Sequence, residues 1–229
     1  MSIKFIFFDI DQTLVDYSGA VNNAVIRLIQ EEPILNSVSS GEFLSIWNAL
    51  RSRYTQPALD GRTSLTKLRL ERMKHLIQYF GLIVSQSEIE QLTLKLFELS
   101  ETLCSAFPDV NPVLNDLVGY RLGVITNGKE AVQRKKLAHA NLSYTFNPFI
   151  ASVEYQCAKP SQQIFKYALE KANISSKHCV MIGDNLELDI LPAKKLGFQA
   201  IFLNRKVKNK YQKFQVPQIE NLYQLRLFL

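Results

Sequence analysis

The sequence is poor in cysteine, and the few cysteines it has lie far apart. Only three occur among 229 residues, Cys104, Cys157 and Cys179, and none belongs to a Cys-x-x-Cys pair. This spacing argues against a structural zinc site and against a disulfide framework. It is consistent with a reducing compartment, because disulfides persist mainly in oxidising ones.

Long hydrophobic runs are also missing. No stretch approaches the roughly 18–20 apolar residues of a membrane-spanning helix, and Asp9 interrupts the first apolar run. The sequence therefore predicts neither a membrane span nor a cleaved signal peptide. We expect a cytoplasmic monomer or homodimer that does not bind a membrane.

Acidic residues are outnumbered by basic ones, but the excess is local. Lys and Arg number 27 against 21 Asp and Glu, which gives a net charge of +6. Residues 205–213 (RKVKNKYQK) contribute five of the basic residues and no acidic one. Because a nucleic-acid binder needs a broader basic face, we expect no nucleic-acid partner. We interpret the run as a solvated loop, with attraction of an anionic substrate or partner as the alternative.

Short apolar segments alternate with helical patterns over most of the chain. Buried strands are predicted near residues 3–10 and at 121–126, 149–153, 179–183 and 200–203. Helices are predicted between the later strands, at 129–140, 161–173 and 186–196, with a final helix at 218–229. This alternation indicates right-handed crossovers and a parallel sheet with helices on both faces. The predicted fold class is therefore α/β, with a Rossmann-like parallel sheet core.

The segment after the first strand breaks this alternation. It contains three or four amphipathic helices, predicted at 20–32, 41–54, 64–80 and 87–105. Ser85 and Glu88 have the spacing of a capping box, and Pro57 marks one of the helix breaks. The predicted domains are an inserted helical cap at 17–107 and an α/β core at 1–16 and 108–229.

Polar residues follow the predicted strands. In open α/β sheets, ligands bind beyond the carboxyl ends of the strands, so these positions are the candidates for a site. They are Asp9 and Asp11 after the first strand, Thr126 and Asn127 after the second, Lys159 after the third, and Asp184 and Asp189 after the fourth. The fold is thus predicted to collect a hydroxyl, an ammonium and four carboxylates at one edge.

This set of groups is typical of metal-assisted phosphoryl transfer. Carboxylates that converge in one cleft repel each other unless a hard cation lies between them, and Mg²⁺ prefers oxygen ligands. One carboxylate can attack phosphorus to form an aspartyl-phosphate, and a second can protonate the leaving group. Thr126 can donate a hydrogen bond to the phosphate, and Lys159 can offset charge on its equatorial oxygens.

The ordered motifs DxDxT, Thr-Asn, Lys-Pro and GDxxxxD resemble the haloacid dehalogenase-like hydrolase superfamily, in its Mg²⁺-dependent phosphatase branch. The helical insert falls where that family carries a cap. The resemblance implies that Asp9 is the nucleophile and a metal ligand. It implies that Asp11 is the general acid/base and binds the metal through its main-chain carbonyl. One departure is Gln12, where the family often has glycine, and it points to a slightly different loop.

The resemblance also implies roles for the later motifs. Thr126 and the Asn127 amide would hold the phosphate, and Lys159 would orient the nucleophile. Asp184 would be an acidic metal ligand, and Asp189 would support Lys159 or a metal-bound water.

The cap and core together look most like the branch that contains pyrimidine 5′-nucleotidases. This similarity implies a small phosphorylated metabolite as substrate, either a nucleoside monophosphate or, as the alternative, a sugar phosphate. Arg62, beside a glycine in the predicted cap, is the candidate for substrate specificity. A phosphomutase would keep the same residues. A 2-haloacid dehalogenase would not need Asp11, and a non-catalytic binding module would be expected to have lost a motif.

Overall fold

The structure, a computed structural model, describes residues 2–59, 65–205 and 216–229. Arg62, the predicted specificity residue, lies outside the described residues, and so does the basic segment from 206 to 213. Within the described part of the chain, no helix combines the length and the apolar character needed to cross a bilayer. The predicted cytoplasmic location and the choice between monomer and homodimer stay predictions.

Six strands form one parallel sheet, which confirms the predicted α/β class. The strands are β1 (Phe5–Phe8), β2 (Arg121–Thr126), β3 (Phe149–Ala151), β4 (Cys179–Gly183), β5 (Gln199–Leu203) and β6 (Gln218–Ile219). Their order in the sheet is β3-β2-β1-β4-β5-β6, and every neighbouring pair is parallel. The chain therefore builds outwards from β1 on one side and then returns to build outwards on the other.

Eight α-helices accompany these strands in the described ranges of the chain. Four come directly after β1: α1 (Tyr17–Glu31), α2 (Ser40–Leu59), α3 (Leu65–Tyr79) and α4 (Gln86–Thr102). The other four alternate with the later strands: α5 (Val110–Asp116), α6 (Glu130–His139), α7 (Gln162–Ala172) and α8 (Leu191–Lys195). Contacts divide the chain into one unit of Met1–Asp16 and Ser105–Leu229 and a second, helical unit of Tyr17–Cys104.

The chain leaves and re-enters the α/β unit through two adjoining segments. The N–H of Asp16 donates to the Ser105 carbonyl at 2.9 Å, and Val15 forms an antiparallel bridge with Ala106. The N–H of Phe107 donates to the carbonyl of Leu14 at 3.2 Å. These bonds attach residues 105–107 to the α/β unit.

The central strand is buried along its whole length. All four residues of β1 have no exposed surface, and β2 and β4 pair with it on either side. The rings of Phe5 and Phe7 stack with their centroids 4.3 Å apart. A Cβ on Gly123 of β2 would lie 2.8 Å from the Phe7 ring, closer than ordinary contact, so glycine makes room for this stack.

The helical unit has its own buried core, which α1 to α4 build around Phe43, Trp47 and Met73. The predicted capping box opens α4: the Glu88 N–H donates to the Ser85 hydroxyl, and the Ser85 N–H donates to the Glu88 carboxylate at 2.6 Å. Pro57 lies within the bounds of α2, so the predicted helix break at this residue is wrong.

The end of the chain also differs from expectation. Residues 218–229, predicted as a helix, form the short strand β6 and a 3₁₀-helix over Leu222–Leu227. Ile219 pairs in parallel with Leu203, and its carbonyl accepts from the N–H of Asn204 at 2.8 Å. The open side of β5 offers unpaired main-chain groups, and pairing with them outweighs the helical pattern of this segment.

Candidate active site

The strand order places a crevice beside β1. In open α/β sheets, ligands bind at the switch point, where the chain connections from two neighbouring strands lead to opposite sides of the sheet. Here the switch point lies between β1 and β4. Asp9 follows β1 and Asp184 follows β4. The N–H of Asp9 donates to the carbonyl of Ile182 at 3.0 Å, which extends the pairing to the nucleophile candidate itself. The two aspartates therefore flank the switch point of the sheet.

Lys159 connects the carboxylates at this edge. Its Nζ donates to Asp9 Oδ1 at 2.6 Å, to Asp189 Oδ1 at 2.6 Å and to the carbonyl of Ile125 at 3.0 Å. An ammonium has three donors, and all three are used. The side chain of Lys159 is only 3% exposed, so it is fixed in place between the two acids.

Asn127 holds the main chain of Lys159. The N–H of Lys159 donates to Asn127 Oδ1 at 2.8 Å, and Asn127 Nδ2 donates to the Lys159 carbonyl at 3.1 Å. The Asn127 side-chain amide is thus bonded on both sides to one residue. A phosphate contact by the Asn127 amide therefore falls to the main-chain N–H, while the side chain positions Lys159.

Asp189 is held by main-chain and side-chain donors at once. Its Oδ1 accepts from Lys159, and its Oδ2 accepts from the N–H of Asn185 at 3.1 Å. A Cβ on Gly183 would lie 2.4 Å from Asp189 Oδ2, so only glycine leaves room for this carboxylate. The glycine and the distal acid of the GDxxxxD motif are therefore required together.

Asp189 lies on a widened helical turn. Residues Leu186–Ile190 form a single π-helical turn before α8, where the sequence pattern predicts one continuous helix. The Asn185 side chain caps this turn by accepting from the N–H groups of Glu187 and Leu188. Turns of this kind are frequent at functional sites, and here the turn places a carboxylate against the end of β4.

Three carboxylates converge at this edge. Oxygens of Asp9, Asp184 and Asp189 all lie within 4.8 Å of one another. Burial raises the pKa of Asp9 to about 7, and repulsion from Asp189 adds to the shift although Lys159 opposes it. Burial, with repulsion from Asp9 and Asp189, raises the pKa of Asp184 to about 8. When all three carboxylates are ionised, the cluster carries more negative charge than Lys159 alone offsets.

The same neighbouring carboxylates keep Lys159 in its charged form. Burial opposes the charged form of this lysine, but attraction by Asp189 and Asp9 outweighs burial and raises its pKa above the ordinary value. The ammonium stays charged, and the atoms that accept its three hydrogen bonds are oxygens. An all-oxygen set with surplus negative charge suits a hard divalent cation such as Mg²⁺ rather than a softer metal.

Asp11 is held by a second lysine, which the sequence analysis did not single out. Lys136 Nζ donates to both carboxylate oxygens of Asp11 at 2.8 Å, and Gln133 Nε2 approaches Asp11 Oδ2 at 3.4 Å. Both residues are buried on α6. Gln133 and Lys136 have helical spacing with the buried Leu137, so these two polar side chains lie on the apolar face of the helix. Polar residues on an apolar face are a sequence signal that could have identified them.

Thr126 and Gln12 are two further residues of the strand-end motifs. Thr126 is the last residue of β2 and is buried. Because β2 is the neighbour of β1, Thr126 lies at the same edge of the sheet as Asp9. Gln12 has a φ of 65°, in the left-handed region that favours glycine. Gln12 adopts this conformation itself, so the departure from the family's glycine does not require a different loop.

Arg205 departs from its prediction as part of a solvated loop. Its Nη1 donates to Asp109 Oδ2 at 2.9 Å, and its Nη2 donates to the carbonyl of Thr13 at 2.8 Å. The guanidinium also lies 3.9 Å above the Phe107 ring. Thr13 is the last residue of the DxDxT motif, so Arg205 attaches the end of β5 to the loop that carries both catalytic candidates.

Two proteins of known activity are similar over most of the chain. A glyceraldehyde 3-phosphate phosphatase from Methanothermobacter thermautotrophicus is 31% identical over 217 residues, which cover 88% of this chain and 86% of that protein. The pyrimidine 5′-nucleotidase PynA from Streptococcus pneumoniae is 28% identical over 213 residues, covering 89% of this chain and 85% of that protein.

A solved structure shows the same fold. The hydrolase YfnB from Bacillus subtilis, crystallised with magnesium, has a TM-score of 0.83 at 20% identity and covers 99% of this chain and 98% of its own. The sequence pattern of the haloacid dehalogenase-like hydrolases matches residues 3–197, which include every strand-end motif described above. The chain therefore belongs to the haloacid dehalogenase-like hydrolase family.

Proposed function

We propose that this enzyme is a Mg²⁺-dependent phosphatase that hydrolyses a small phosphomonoester through an aspartyl-phosphate on Asp9. The observation that carries the proposal is the ammonium of Lys159, 2.6 Å from Asp9 Oδ1 and 2.6 Å from Asp189 Oδ1. It fixes one oxygen of a buried carboxylate at the switch point of the sheet. The similarity to two phosphatases supports the same reaction class.

Each aspartate then has its own role. An oxygen of Asp9 forms a bond to phosphorus while the bond to the leaving alcohol breaks, and Asp11 gives its proton to that alcohol. A water oxygen then forms a bond to the phosphorus of the aspartyl-phosphate while the bond between phosphorus and the Asp9 oxygen breaks, and Asp11 takes up the proton of the water. Inorganic phosphate leaves, and both aspartates return to their starting states.

Mg²⁺ would be held by Asp9, Asp184 and the main-chain carbonyl of Asp11. When bound, the cation would offset the charge of the phosphoryl oxygens and of the two buried carboxylates. Asp189 is already bonded through both oxygens, to Lys159 and to the N–H of Asn185, which supports a role in positioning Lys159.

The phosphate would be held at the end of β2. The Thr126 hydroxyl and the main-chain N–H of Asn127 are the donors that this assignment uses, because the Asn127 side chain is bonded to Lys159. Donors fixed by the sheet stabilise developing charge without reorganisation, and this is the largest contribution that such a site can make.

The substrate is a small phosphorylated metabolite. A nucleoside monophosphate and a sugar phosphate are the two candidates, and the similar proteins include one phosphatase of each kind. Arg62 of the predicted cap is the residue that we propose to influence this choice. No partner beyond the substrate is needed for the proposed reaction.

A dehalogenase and a phosphomutase are the rival activities. A dehalogenase attacks carbon and needs no second aspartate, whereas here Asp11 is held by a buried lysine at 2.8 Å. This contact favours a phosphatase. A phosphomutase would use the same residues, and its turnover would be activated by a bisphosphate.

One experiment tests the proposal. Phosphate release is measured from a panel of nucleoside monophosphates, sugar phosphates and one aryl phosphate, with Mg²⁺ and with excess EDTA. We expect release that requires Mg²⁺. Full activity in EDTA would overturn the metal assignment, and halide release from a 2-haloacid without phosphatase activity would overturn the reaction class. Stimulation by a bisphosphate would identify a mutase.

A further inference from the structure

We infer that Lys136 is a positioning residue for Asp11, with Gln133 as its support, an assignment that rests on the proposed function. Lys136 belongs to α6, the helix that follows the Thr-Asn motif. It is separated from Asp11 by 125 residues along the chain.

The contact between Lys136 and Asp11 is unusually restrictive for a lysine. One Nζ atom donates to both carboxylate oxygens at 2.8 Å, which fixes the plane of the carboxylate as well as its position. The lysine side chain is 5% exposed and that of Asp11 is 32% exposed. The buried ammonium therefore holds a carboxylate whose other side still faces an accessible space.

Burial makes this pairing strong. A lysine that has lost its hydration needs an anionic partner, because an uncompensated buried charge is strongly destabilising. Asp11 supplies that partner from the loop after β1.

Gln133 extends the arrangement to the predicted phosphate-binding loop. It lies one turn before Lys136 on α6, and its Nε2 donates to the carbonyl of Asn127 at 2.9 Å while it approaches Asp11 at 3.4 Å. A Cβ on Gly128 would lie 3.3 Å from that Nε2, so the glycine allows the approach. One helix face thus sets the acid/base relative to the end of β2.

The chemistry explains what such positioning would achieve. A protonated carboxyl can still accept from Lys136 through one oxygen while the oxygen that carries the proton turns to the leaving group. When the proton has gone, the carboxylate that remains regains both bonds to the ammonium. In this assignment Lys136 acts on the reaction through its bonds to Asp11.

A purely structural role for the pair is the competing explanation, and leaving groups distinguish the two. A residue that acts through the general acid matters most when the leaving group needs a proton, as an alkoxide does. An aryl oxide with a low pKa needs little protonation. A loss of folding or of binding would lower turnover of both kinds of ester equally.

The experiment compares kcat of Lys136→Met with the wild type on one alkyl and one aryl phosphate, in Mg²⁺. We expect a loss of about 10-fold or more on the alkyl ester and a clearly smaller loss on the aryl ester. Lys136→Arg, which can donate to both oxygens again, should recover most of the alkyl activity. Lys135→Met, a neighbouring exposed lysine on α6, is the matched control and should lose neither activity. Equal losses on both esters would overturn the inference.

A second comparison keeps the inference testable if Lys136→Met does not fold. Asp11→Asn with Lys136→Met leaves no unpaired charge, and its kcat is compared with that of Asp11→Asn alone. If Lys136 acts through Asp11, its replacement should lower kcat by less than about threefold in this background, because the effects of coupled residues are not additive. A further 10-fold loss would overturn the inference. A wild-type enzyme that releases no phosphate from any ester would instead contradict the proposed function.

Discussion

The Lys159 ammonium lies 2.6 Å from Asp9 Oδ1, although 150 residues separate the two along the chain. Both side chains are almost entirely buried. The carboxyl ends of parallel strands meet at one edge of the sheet, and this meeting brings the residues together. The ion pair is therefore a consequence of topology, and its chemistry can be tested at each partner separately.

Removing the ammonium should slow the reaction. We expect Lys159→Ala to lower kcat by about 10²-fold or more, as the loss of a positioned electrostatic donor typically does. Lys166→Ala, an exposed lysine on α7, is the control and should retain full activity. The measurement is kcat on a generic aryl phosphate with circular dichroism for folding. Unchanged turnover in a folded Lys159→Ala would return this residue to a structural role.

Gly183 should tolerate no side chain. A Cβ there would lie 2.4 Å from Asp189 Oδ2, so Gly183→Ala must displace the carboxylate that accepts from Lys159. We expect unfolding stability to fall by about 1–3 kcal/mol, as crowding in a packed site usually causes, together with a loss of kcat. Gly41→Ala is the matched control, since its Cβ would lie 3.8 Å from the nearest side-chain atom. Denaturant titration and kcat for both variants decide the matter.

The buried acids should make the metal-free protein less stable as the pH rises. The pKa values of Asp9 and Asp184 are raised from an ordinary 3.8 to about 7 and about 8. At pH values between the ordinary pKa and the raised ones, the folded state therefore binds more protons than the unfolded state. Stability then falls with rising pH through this window and is level above it. Mg²⁺ competes with these protons, so its stabilising effect should be larger at pH 8 than at pH 6.

Thermal melts with and without Mg²⁺ across this range measure the effect. Asp184→Asn removes one of the titrating groups and one proposed ligand, and it should reduce both the pH dependence and the shift caused by Mg²⁺. A shift of equal size at pH 6 and pH 8 in the wild type would contradict the linkage between these carboxylates and the cation.

The strand-end residues could be located from the sequence because they follow a general rule. Apolar runs identify parallel strands, and ligand groups follow their carboxyl ends, so Asp9, Lys159 and Asp184 required no knowledge of side-chain packing. Lys136 and Gln133 could not be found in this way. They sit within a helix, and their contacts with Asp11 depend on how that helix packs against the loop after β1.

Long-range pairing explains the remaining differences. The sequence places Arg205 in a run with the basic residues that follow it, yet Asp109 and the carbonyl of Thr13 hold it at 2.9 Å and 2.8 Å. Residues 218–229 have a helical pattern, but Ile219 finds a strand partner in Leu203. In both places the deciding contact comes from a distant part of the chain, where local propensity carries little information.

Replacing each of the two aspartates of the DxDxT motif should affect turnover in a different way. Asp9→Asn removes the attacking oxygen, so no covalent step remains for any substrate. Asp11→Asn removes the proton donor and should slow the reaction on an alkyl phosphate by about 10²–10⁴-fold. The nucleophile is still present in that variant, and an aryl leaving group needs little protonation. Aryl phosphates should therefore recover much of the Asp11→Asn loss and none of the Asp9→Asn loss.

The test measures kcat of both variants on an alkyl and an aryl phosphate, with circular dichroism as the folding control. Asp9→Asn should fold, because Asn nearly matches Asp in shape and relieves repulsion among carboxylates whose oxygens lie within 4.8 Å of one another at Asp9, Asp184 and Asp189. The Asp11→Asn variant leaves the Lys136 ammonium without its carboxylate, so its folded fraction is measured first. A better leaving group can compensate for a missing proton donor but not for a missing nucleophile. Equal dependence on the leaving group in both variants would therefore mean that the nucleophile and the acid/base have been assigned wrongly.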